Sequence, residues 1–400
     1  MAVLRAVGID AGAGALAALP LVDDVLGGRL SLLPVPAGDP TQTAALTTAL
    51  RAGEPIDDAV GVVLSTSGTT GTPKGAMLTA AALVASADAT HQRLGGPGCW
   101  LLALPGYHVA GFQVLVRSAV AGRRPVAVPA SFEPSALTSA IEEMGPGRRY
   151  ASLVAAQLDK ALRDDRAADA LAGLDAVLIG GGPMPAGIAE RAAQAGVPVV
   201  RTYGMSETAG GCVYDGVPLR GAAVRIDTGG RISLGGPMVA IGYRNPATPD
   251  PFAEPGWFRT DDVGAVDDSG VLRILGRVDD AISTGGLTVY PGVVEAALAT
   301  HPAIAECAVF GVADERLGQR VVAAVVVAPG SSVTLPELRS HTADALPSTA
   351  APRQLEIVDD LPRRGIGKLD RRALASRFAA PTEGTAHPAD IDAHHGPHEP

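Results

Sequence analysis

The middle of this chain alternates between apolar strand patterns and amphipathic helix patterns, and this alternation constrains the fold more than any other feature. Short runs rich in Val, Leu and Ile predict strands at 60–64, 99–104, 124–128, 150–154, 176–180 and 197–201. Patterns with helical spacing predict helices at 78–92, 134–143, 156–172 and 185–195. Such alternation is typical of a mostly parallel sheet with helices on its faces, so we expect an α/β fold.

The sequence pattern changes twice after this region, and the changes predict domain boundaries. Residues 220–275 contain short alternating strands between Gly, Asp and Pro turns, which indicates a β-rich subdomain. Beyond Gly276–Asp280 the pattern predicts a small α+β unit with a core of its own. The expected segments are a large N-terminal domain of mixed parallel sheets at 1–276, a connection at 277–280, a small C-terminal domain at 281–379 and a disordered tail at 380–400.

Charge and cysteine usage exclude several classes of protein. The net charge of −10 argues against sequence-independent binding of nucleic acid. The cysteines, at 99, 212 and 307, lack metal-ligand spacing and are typical of buried thiols in a reducing compartment. The N-terminus lacks a basic segment followed by an apolar core, and the longest apolar runs are too short to span a bilayer. We therefore expect a cytoplasmic protein without stable membrane insertion.

A loop rich in glycine and hydroxyl side chains follows the strand at 60–64, in the stretch Leu64-Ser65-Thr66-Ser67-Gly68-Thr69-Thr70-Gly71-Thr72-Pro73-Lys74-Gly75. The loop is expected between a strand and a helix, where its N–H and hydroxyl donors favour the binding of an anion. Glycine lets the backbone approach a ligand closely. It is not a Walker A loop, because Pro73 precedes Lys74 and Gly75 follows it. We predict a phosphate site; a surface loop is the alternative.

Two further motifs place nucleotide-binding chemistry after predicted strands. Ile179–Pro183 is rich in glycine and would let a flat or phosphorylated ligand lie against the backbone, although a tight turn has the same pattern. Tyr203–Thr208 combines an aromatic ring, hydroxyls and Glu207, which suit a base, phosphate and Mg²⁺. A polar turn is the alternative for this second motif.

Two later motifs carry isolated charges. Gly256–Gly264 contains adjacent carboxylates, and a carboxylate that accepts two hydroxyls suits a ribose; an acidic turn is the alternative. Pro362–Asp370 places Lys368 on a glycine-rich loop, where a basic surface loop is the alternative. The chain has only three lysines, at 74, 160 and 368, so two of them fall in motifs where a compact ammonium is useful.

Taken in order, these stretches resemble the motifs of the acyl-adenylate-forming superfamily, which includes acyl-CoA synthetases, adenylation domains of peptide synthetases and luciferases. The resemblance spans about residues 59–378. The matching segments are Ser65–Gly75 (phosphate loop), Tyr203–Thr208 (adenine and magnesium), Trp257–Val263 (ribose), Gly276–Glu295 (hinge and early small domain) and Gly365–Arg371 (lysine loop).

The resemblance implies two half-reactions, in which a carboxylate attacks the α-phosphate of ATP and a thiol then displaces AMP. It implies ATP, Mg²⁺ and CoA as ligands, and a mobile small domain that turns at 277–280. The implied nucleotide contacts are Ser65, Thr66, Ser67, Gly68, Thr69, Thr70, Gly181, Gly182, Pro183, Tyr203, Gly204, Met205, Ser206, Asp262, Arg277 and Asp279. The implied catalytic residues are Lys74, His108 and Lys368, the implied magnesium ligands are Glu207 and Thr66, and Gly286 would lie on the thiol path.

The segment Leu104–Gly111 resembles the aromatic–His motif of the acyl pocket, and this implies that Tyr107, His108 and Gly204 contact the acid. Arg117 follows on a predicted helix and is implied to meet a second carboxylate, with a solvated helix arginine as the alternative. These features are most similar to the short actinobacterial form of the o-succinylbenzoate–CoA ligases of menaquinone biosynthesis. A homodimer is compatible with this resemblance.

Other interpretations remain open. The chain could be another aromatic or fatty acyl-CoA synthetase, a stand-alone adenylation enzyme that loads a carrier protein, or a non-catalytic nucleotide-binding protein. Asp261 stands where the superfamily usually has Gly, so either Asp261 or Asp262 could contact the ribose. Ser283 stands where many members carry Lys, and Arg364 where many carry Thr. None of these departures removes a charge that the implied mechanism requires.

Overall fold

The computed structural model describes residues 1–66, 73–343, 345–364 and 368–379, with all their side chains except those of Ala186, Arg364 and Lys368. The strands of the larger, N-terminal part are β1 (Ala2–Ile9), β2 (Ser31–Pro36), β3 (Pro55–Ile56), β4 (Val60–Leu64), β5 (Ala76–Thr79), β6 (Cys99–Leu102), β7 (Val126–Ala127), β8 (Arg149–Val154), β9 (Ala176–Gly180), β10 (Val199–Met205), β11 (Gly210–Tyr214), β12 (Val217–Pro218), β13 (Ala223–Ile226), β14 (Arg231–Gly235), β15 (Gly242–Tyr243), β16 (Trp257–Val266) and β17 (Leu272–Arg277). Its helices are α1 (Leu19–Leu26), α2 (Pro40–Ala49), α3 (Ala80–Arg93), α4 (Val109–Val120), α5 (Pro134–Glu142), α6 (Ala155–Ala161), α7 (Asp165–Ala172) and α8 (Ala186–Gln194).

A smaller C-terminal part begins after the 3₁₀ turn Val278–Asp280. Its elements are β18 (Ile282–Thr284), β19 (Leu287–Val289), α9 (Pro291–Leu298), β20 (Ile304–Asp314), β21 (Gly318–Val327), α10 (Leu335–Ala343), β22 (Gln354–Ile357), β23 (Arg363–Arg364), β24 (Lys368–Leu369) and α11 (Arg371–Phe378). Two buried clusters cover the two faces of its sheet, so this part has a core of its own.

Among the described residues, three sheets build the larger part. The first has the order β15-β5-β4-β2-β1-β3, with parallel pairing of β1, β2 and β4 at its centre. The second has the order β12-β11-β10-β9-β8-β6-β7 and is parallel from β10 to β7. The third, β13-β14-β16-β17, is antiparallel and corresponds to the expected β-rich subdomain.

Helices α1, α3 and α4 lie between the first two sheets, and this sandwich forms the largest core. The fully buried side chains of Trp100, Phe112 and Tyr150 lie in it. On the other face of the second sheet, helices α5 to α8 cover a second cluster. Because apolar strands are covered on both faces, the second sheet reads as continuous hydrophobic runs, and this is the pattern that predicts it.

The expected α/β architecture with a large and a small domain is confirmed, while some element boundaries were wrong. The expected helix at 78–92 starts only at Ala80, because residues 76–79 form strand β5. The expected helix at 156–172 is two helices, and the Asp164 side chain caps the second by accepting from Ala167 N. Helix α4 contains Arg117, as expected, although its bounds were not predicted, and β1 to β3 were not predicted at all. Within the described ranges, no helix is long and apolar enough to cross a membrane.

Candidate active site at the ends of β4 and β10

The ends of β4 and β10 meet at one edge of the two parallel-rich sheets. Ser65 directly follows β4, while β10 leads into the 3₁₀ turn Ser206–Thr208. The Ser206 hydroxyl donates to the Ser65 carbonyl at 3.4 Å, so the two segments touch. The start of the predicted phosphate loop therefore lies beside the predicted adenine and magnesium segment.

The predicted phosphate loop joins two antiparallel strands and does not lead directly into a helix, which corrects the expected strand–loop–helix layout. Leu64 of β4 pairs with Ala76 of β5, and α3 begins only after Thr79, whose hydroxyl accepts from Ala82 N. The physical reason is that Ala76–Thr79 alternates buried and half-buried side chains, a period of two that suits a strand and not a helix. A phosphate bound here would depend on the loop's own donors and on Lys74.

The far end of this loop is held by residues that follow β15. The Asn245 main-chain N donates to the Lys74 carbonyl at 2.9 Å, and its side-chain amide donates to Pro73 O at 2.8 Å and Ala49 O at 2.7 Å. The Lys74 ammonium nitrogen lies 5.4 Å from the centre of the Tyr243 ring. These contacts fix the backbone of Lys74 and direct its side chain over Tyr243.

Glu207 is buried and accepts a hydrogen bond of 2.6 Å from the Tyr243 hydroxyl. Burial, followed by the charge of Glu207, raises the pKa of Tyr243, so this hydroxyl keeps its proton and stays a donor. The buried hydroxyl oxygen of Thr66 has no hydrogen-bond partner within the described part of the chain. A carboxylate and a hydroxyl at this edge are oxygen ligands of the kind that Mg²⁺ prefers. Sequence reasoning missed Tyr243, since a two-residue strand gives no signal.

The turn at Gly204 depends on the absence of a side chain. A Cβ atom there would lie 2.1 Å from the Gly210 carbonyl oxygen, and its φ of +158° adds strain. The Thr208 hydroxyl donates to Gly210 O at 2.7 Å and accepts from Met205 N at 3.0 Å. The backbone from Gly204 to Gly210 is therefore a tight, internally bonded turn.

Asp262 is the inward-facing member of the acidic pair. Along β16, Phe258, Thr260 and Asp262 are buried whereas Asp261 is exposed, as strand alternation requires. The Tyr203 hydroxyl donates to Asp262 at 2.7 Å. Burial raises the pKa of Asp262 despite the opposing effects of the Tyr203 hydrogen bond and of Arg277. Tyr203 and Asp262 thus form one polar unit at the end of β10.

Arg277 links this unit to the connection between the two parts of the chain. Its guanidinium lies 3.4 Å from Asp262 and 3.5 Å from Asp261, and it bonds both carboxylate oxygens of Asp279 at 2.8 and 3.2 Å. Burial alone would lower the pKa of Arg277, but the hydrogen bond and charges of these aspartates raise it overall. The guanidinium therefore stays charged and holds Asp279 at the start of the connection.

Tyr107 and His108 lie at the N-terminal end of α4, with ring centres 4.8 Å apart. His108 occupies the capping position of the helix, and its carbonyl accepts from Phe112 N at 2.8 Å. At Gly111 a Cβ atom would lie 2.2 Å from the Pro105 carbonyl oxygen, so the helix packs closely on the preceding loop. Burial and then the charge of Asp39 raise the pKa of Tyr107, so its phenol ring stays uncharged beside an acyl group.

Arg117 lies in the core of the larger part. Nine residues correspond to about two and a half helical turns, so Arg117 faces away from His108, about 13 Å further along α4. Its guanidinium is fully buried, 4.8 Å from the Trp100 ring and 3.4 Å from the Tyr214 hydroxyl. The structure therefore contradicts the solvated arginine, because the helix directs this side chain into the core. The contact of Arg117 with a second carboxylate of the acid stays a prediction.

The remaining candidates are placed as follows. Gly181, Gly182 and Pro183 follow β9 and are exposed, and Gly181 has a φ of +83°. Gly286 lies in the exposed turn between β18 and β19 with a φ of +80°. Outside the described residues lie Ser67, Gly68, Thr69, Thr70, Gly365 to Gly367, the side chain of Lys368 and the segment 380–400.

Family models match both parts of the chain. The model "AMP-binding enzyme" matches residues 25–243, and "AMP-binding enzyme C-terminal domain" matches residues 293–368.

The chain belongs to the AMP-binding enzyme family.

Individual relatives of this AMP-binding enzyme agree with that assignment. A "Probable 2-succinylbenzoate--CoA ligase" of Mycobacterium tuberculosis H37Rv is 62% identical over 381 residues, covering 94% of this chain and 99% of the relative. A "2-succinylbenzoate--CoA ligase" of Bacillus cytotoxicus is 35% identical over 337 residues, covering 78% of this chain and 69% of the relative. The solved O-succinylbenzoate Coenzyme A Synthetase of Bacillus subtilis, in complex with ATP and magnesium ion, superposes with a TM-score of 0.73 at 25% identity, over 92% and 89% of the two chains.

Proposed function

We propose that this AMP-binding enzyme is a 2-succinylbenzoate–CoA ligase, which forms an acyl-adenylate with release of pyrophosphate and then transfers the acyl group to CoA. The proposal is carried by the meeting of Glu207, Thr66 and the Tyr203–Asp262 pair at one edge, in a chain 62% identical to a probable ligase of this kind. The reaction takes place in the cytoplasm, and a homodimer is a further prediction that sedimentation would test.

In the first step, a carboxylate oxygen of the acid attacks the α-phosphorus of ATP, and the bond to the β-phosphate oxygen breaks. In-line attack of this kind depends on positioning and on neutralisation of charge. Lys74 and the loop hydroxyls would hold the departing pyrophosphate, with Gly181, Gly182, Pro183, Gly204, Met205 and Ser206 along the adenine side. Asp262 would accept the ribose hydroxyls, and Lys368 would bridge the carboxylate and the α-phosphate.

The residues at the edge fit a magnesium ion. The hydroxyl of Thr66 is buried without a partner among the described residues, and the Glu207 carboxylate lies at the same edge. Bound there with ATP, Mg²⁺ would neutralise phosphate charge. Tyr243 would orient Glu207 through its 2.6 Å hydrogen bond, and its raised pKa would keep its hydroxyl a donor.

In the second step, the CoA thiolate attacks the acyl carbon and AMP leaves with the electron pair of the acyl–oxygen bond. The acid would lie against Tyr107 and His108, and the thiol would approach past Gly286. The proposed division of the chain is a domain at 1–276, a hinge at 277–280 and a domain at 281–379. Arg277 holds Asp279, and rotation of the small domain at Asp279 would move Lys368 away and open the path for the thiol.

Pyrophosphate release measured with a panel of acids tests this proposal. The panel contains 2-succinylbenzoate, benzoate and octanoate, each with ATP and Mg²⁺, and with either free CoA or a pantetheinylated carrier protein. We expect release with 2-succinylbenzoate above all others and a thioester only with CoA. Release with octanoate alone would point to a fatty acyl-CoA synthetase, and a thioester only on the carrier protein would point to a loading enzyme. No release with any acid would refute adenylation altogether.

A further inference from the structure

Arg371 bonds three separate elements from the first position of α11. Two guanidinium nitrogens bond the Glu295 carboxylate on α9, Nη2 to Oε2 at 2.7 Å and Nε to Oε1 at 3.2 Å, and Nε also donates to the Val309 carbonyl of β20 at 3.2 Å. A further nitrogen lies 3.5 Å from the carboxylate of Asp280. Bidentate pairing of this kind needs a planar guanidinium, which a lysine ammonium cannot reproduce.

Glu295, to which Arg371 bonds, is buried in the core of the small domain. It is 9% exposed, and besides Arg371 it accepts from Val309 N at 2.8 Å. A buried carboxylate with this many donors holds its geometry, because each lost bond leaves a desolvated polar group. Helix α11 therefore keeps one position against α9 and β20.

The third contact reaches the connection between the domains. Asp280 belongs to the 3₁₀ turn Val278–Asp280 and directly follows Asp279, which Arg277 holds from the other side. Lys368 lies on β24, only three residues before Arg371. One guanidinium thus joins the far side of the connection to the segment that carries the lysine.

We propose that Arg371 is a positioning residue that makes β24, the strand that carries Lys368, move as one unit with the hinge. The inference rests on the proposed function, since it acts through the role of Lys368 in adenylate formation. When the small domain turns at Asp279, the bonds from Arg371 to Asp280 and Glu295 carry β24 with it. Loss of these bonds misplaces Lys368 in the first half-reaction and leaves the second unaffected.

A double-mutant cycle with Arg371→Lys and Lys368→Ala tests the inference. Single-turnover formation of the acyl-adenylate from 2-succinylbenzoate and ATP is measured, together with thiolysis of supplied 2-succinylbenzoyl-AMP by CoA. We expect Arg371→Lys to slow adenylate formation about 100-fold, the cost of misplacing a reacting group by an ångström. Thiolysis should change less than about threefold, and Arg371→Lys should cause no further loss once Lys368 is alanine. The inference would be overturned if the two losses of rate multiply in the double variant. It would also be overturned if Arg371→Lys slows both half-reactions equally.

Two further variants separate positioning from folding. Asp280→Asn removes only the hinge contact and keeps the Glu295 pair, so it should slow adenylate formation with an unchanged melting temperature; no slowing overturns the link to the hinge. Arg225→Lys is the matched control, because Arg225 makes an exposed bidentate pair with Glu254, and both half-reactions should match wild type. Failure of the wild-type protein to form the adenylate would refute the proposed function itself. If the wild type is active but the effects of Arg371→Lys and Lys368→Ala are independent, only this inference is refuted.

Discussion

Removal of the Tyr243 hydroxyl tests whether Glu207 is positioned to hold a metal ion. The hydroxyl donates to Glu207 at 2.6 Å, and the raised pKa of Tyr243 keeps it a donor at neutral pH. A hydrogen bond to a charged group contributes about 1.5–3 kcal/mol. Loss of such a partner behind a metal ligand typically lowers metal affinity about 10- to 100-fold. We therefore expect Tyr243→Phe to raise the half-saturating Mg²⁺ concentration by about this factor.

The assay is pyrophosphate release at fixed ATP and acid across a Mg²⁺ titration. Tyr150→Phe is the matched control, because the fully buried Tyr150 hydroxyl donates to Leu94 O and Gly96 O at 3.0 and 2.8 Å, away from the site. That variant should lower the melting temperature without moving the Mg²⁺ titration. The reasoning is refuted if Tyr243→Phe titrates like wild type, or if Tyr150→Phe shifts the titration equally.

Three shorter predictions follow from contacts in the site and core. Gly204→Ala forces a Cβ atom to 2.1 Å from the Gly210 carbonyl, so adenylate formation should be lost and the melting temperature should fall. Asp262→Asn should raise the KM for ATP about tenfold, the equivalent of about 1.4 kcal/mol, while Asp261→Asn should leave it near wild type. Thermal stability should decline as the pH falls from 6.5 to about 4, because burial, then the charge of Arg117, lowers the pKa of His91 to about 4.

Each of these predictions has its own control. Gly187→Ala should be tolerated, since nothing lies within 4 Å of a Cβ atom there. Equal KM values for the two aspartate variants would contradict the assignment of Asp262 to the ribose. For His91, the unfolded chain takes up a proton near pH 6.5 that the folded chain refuses until about pH 4, so His91→Gln should flatten this part of the stability profile. An unchanged profile would show that His91 is not the group responsible.

The elements that local pattern decides were predictable from the sequence. Val60–Leu64 is a strand with the expected bounds. Its continuous apolar run is typical of a strand in a sheet that is covered on both faces. The sequence also contained the pattern needed to choose between Asp261 and Asp262. Phe258 and Thr260 share the buried face of β16 with Asp262, so strand alternation alone could have indicated which carboxylate faces inward.

Features that depend on tertiary contacts could not be read from the sequence. Tyr243 reaches Glu207 only because the two-residue strand β15 pairs with β5 from across the chain. The burial of Arg117 follows from the position of α4 between two sheets, and nine residues of spacing reveal nothing about what covers the helix. The ion pairs of Arg371 with Glu295 and Asp280 join residues that are far apart in sequence.

The fate of the acid's own oxygen tests the central claim most directly. The enzyme is given 2-succinylbenzoate labelled with ¹⁸O in its carboxylates, together with ATP, Mg²⁺ and CoA, and the masses of AMP and pyrophosphate are measured. If a carboxylate oxygen attacks the α-phosphorus and the thiol later attacks the acyl carbon, each AMP carries one ¹⁸O and the pyrophosphate carries none. Unlabelled AMP, or label in pyrophosphate or phosphate, would contradict the account.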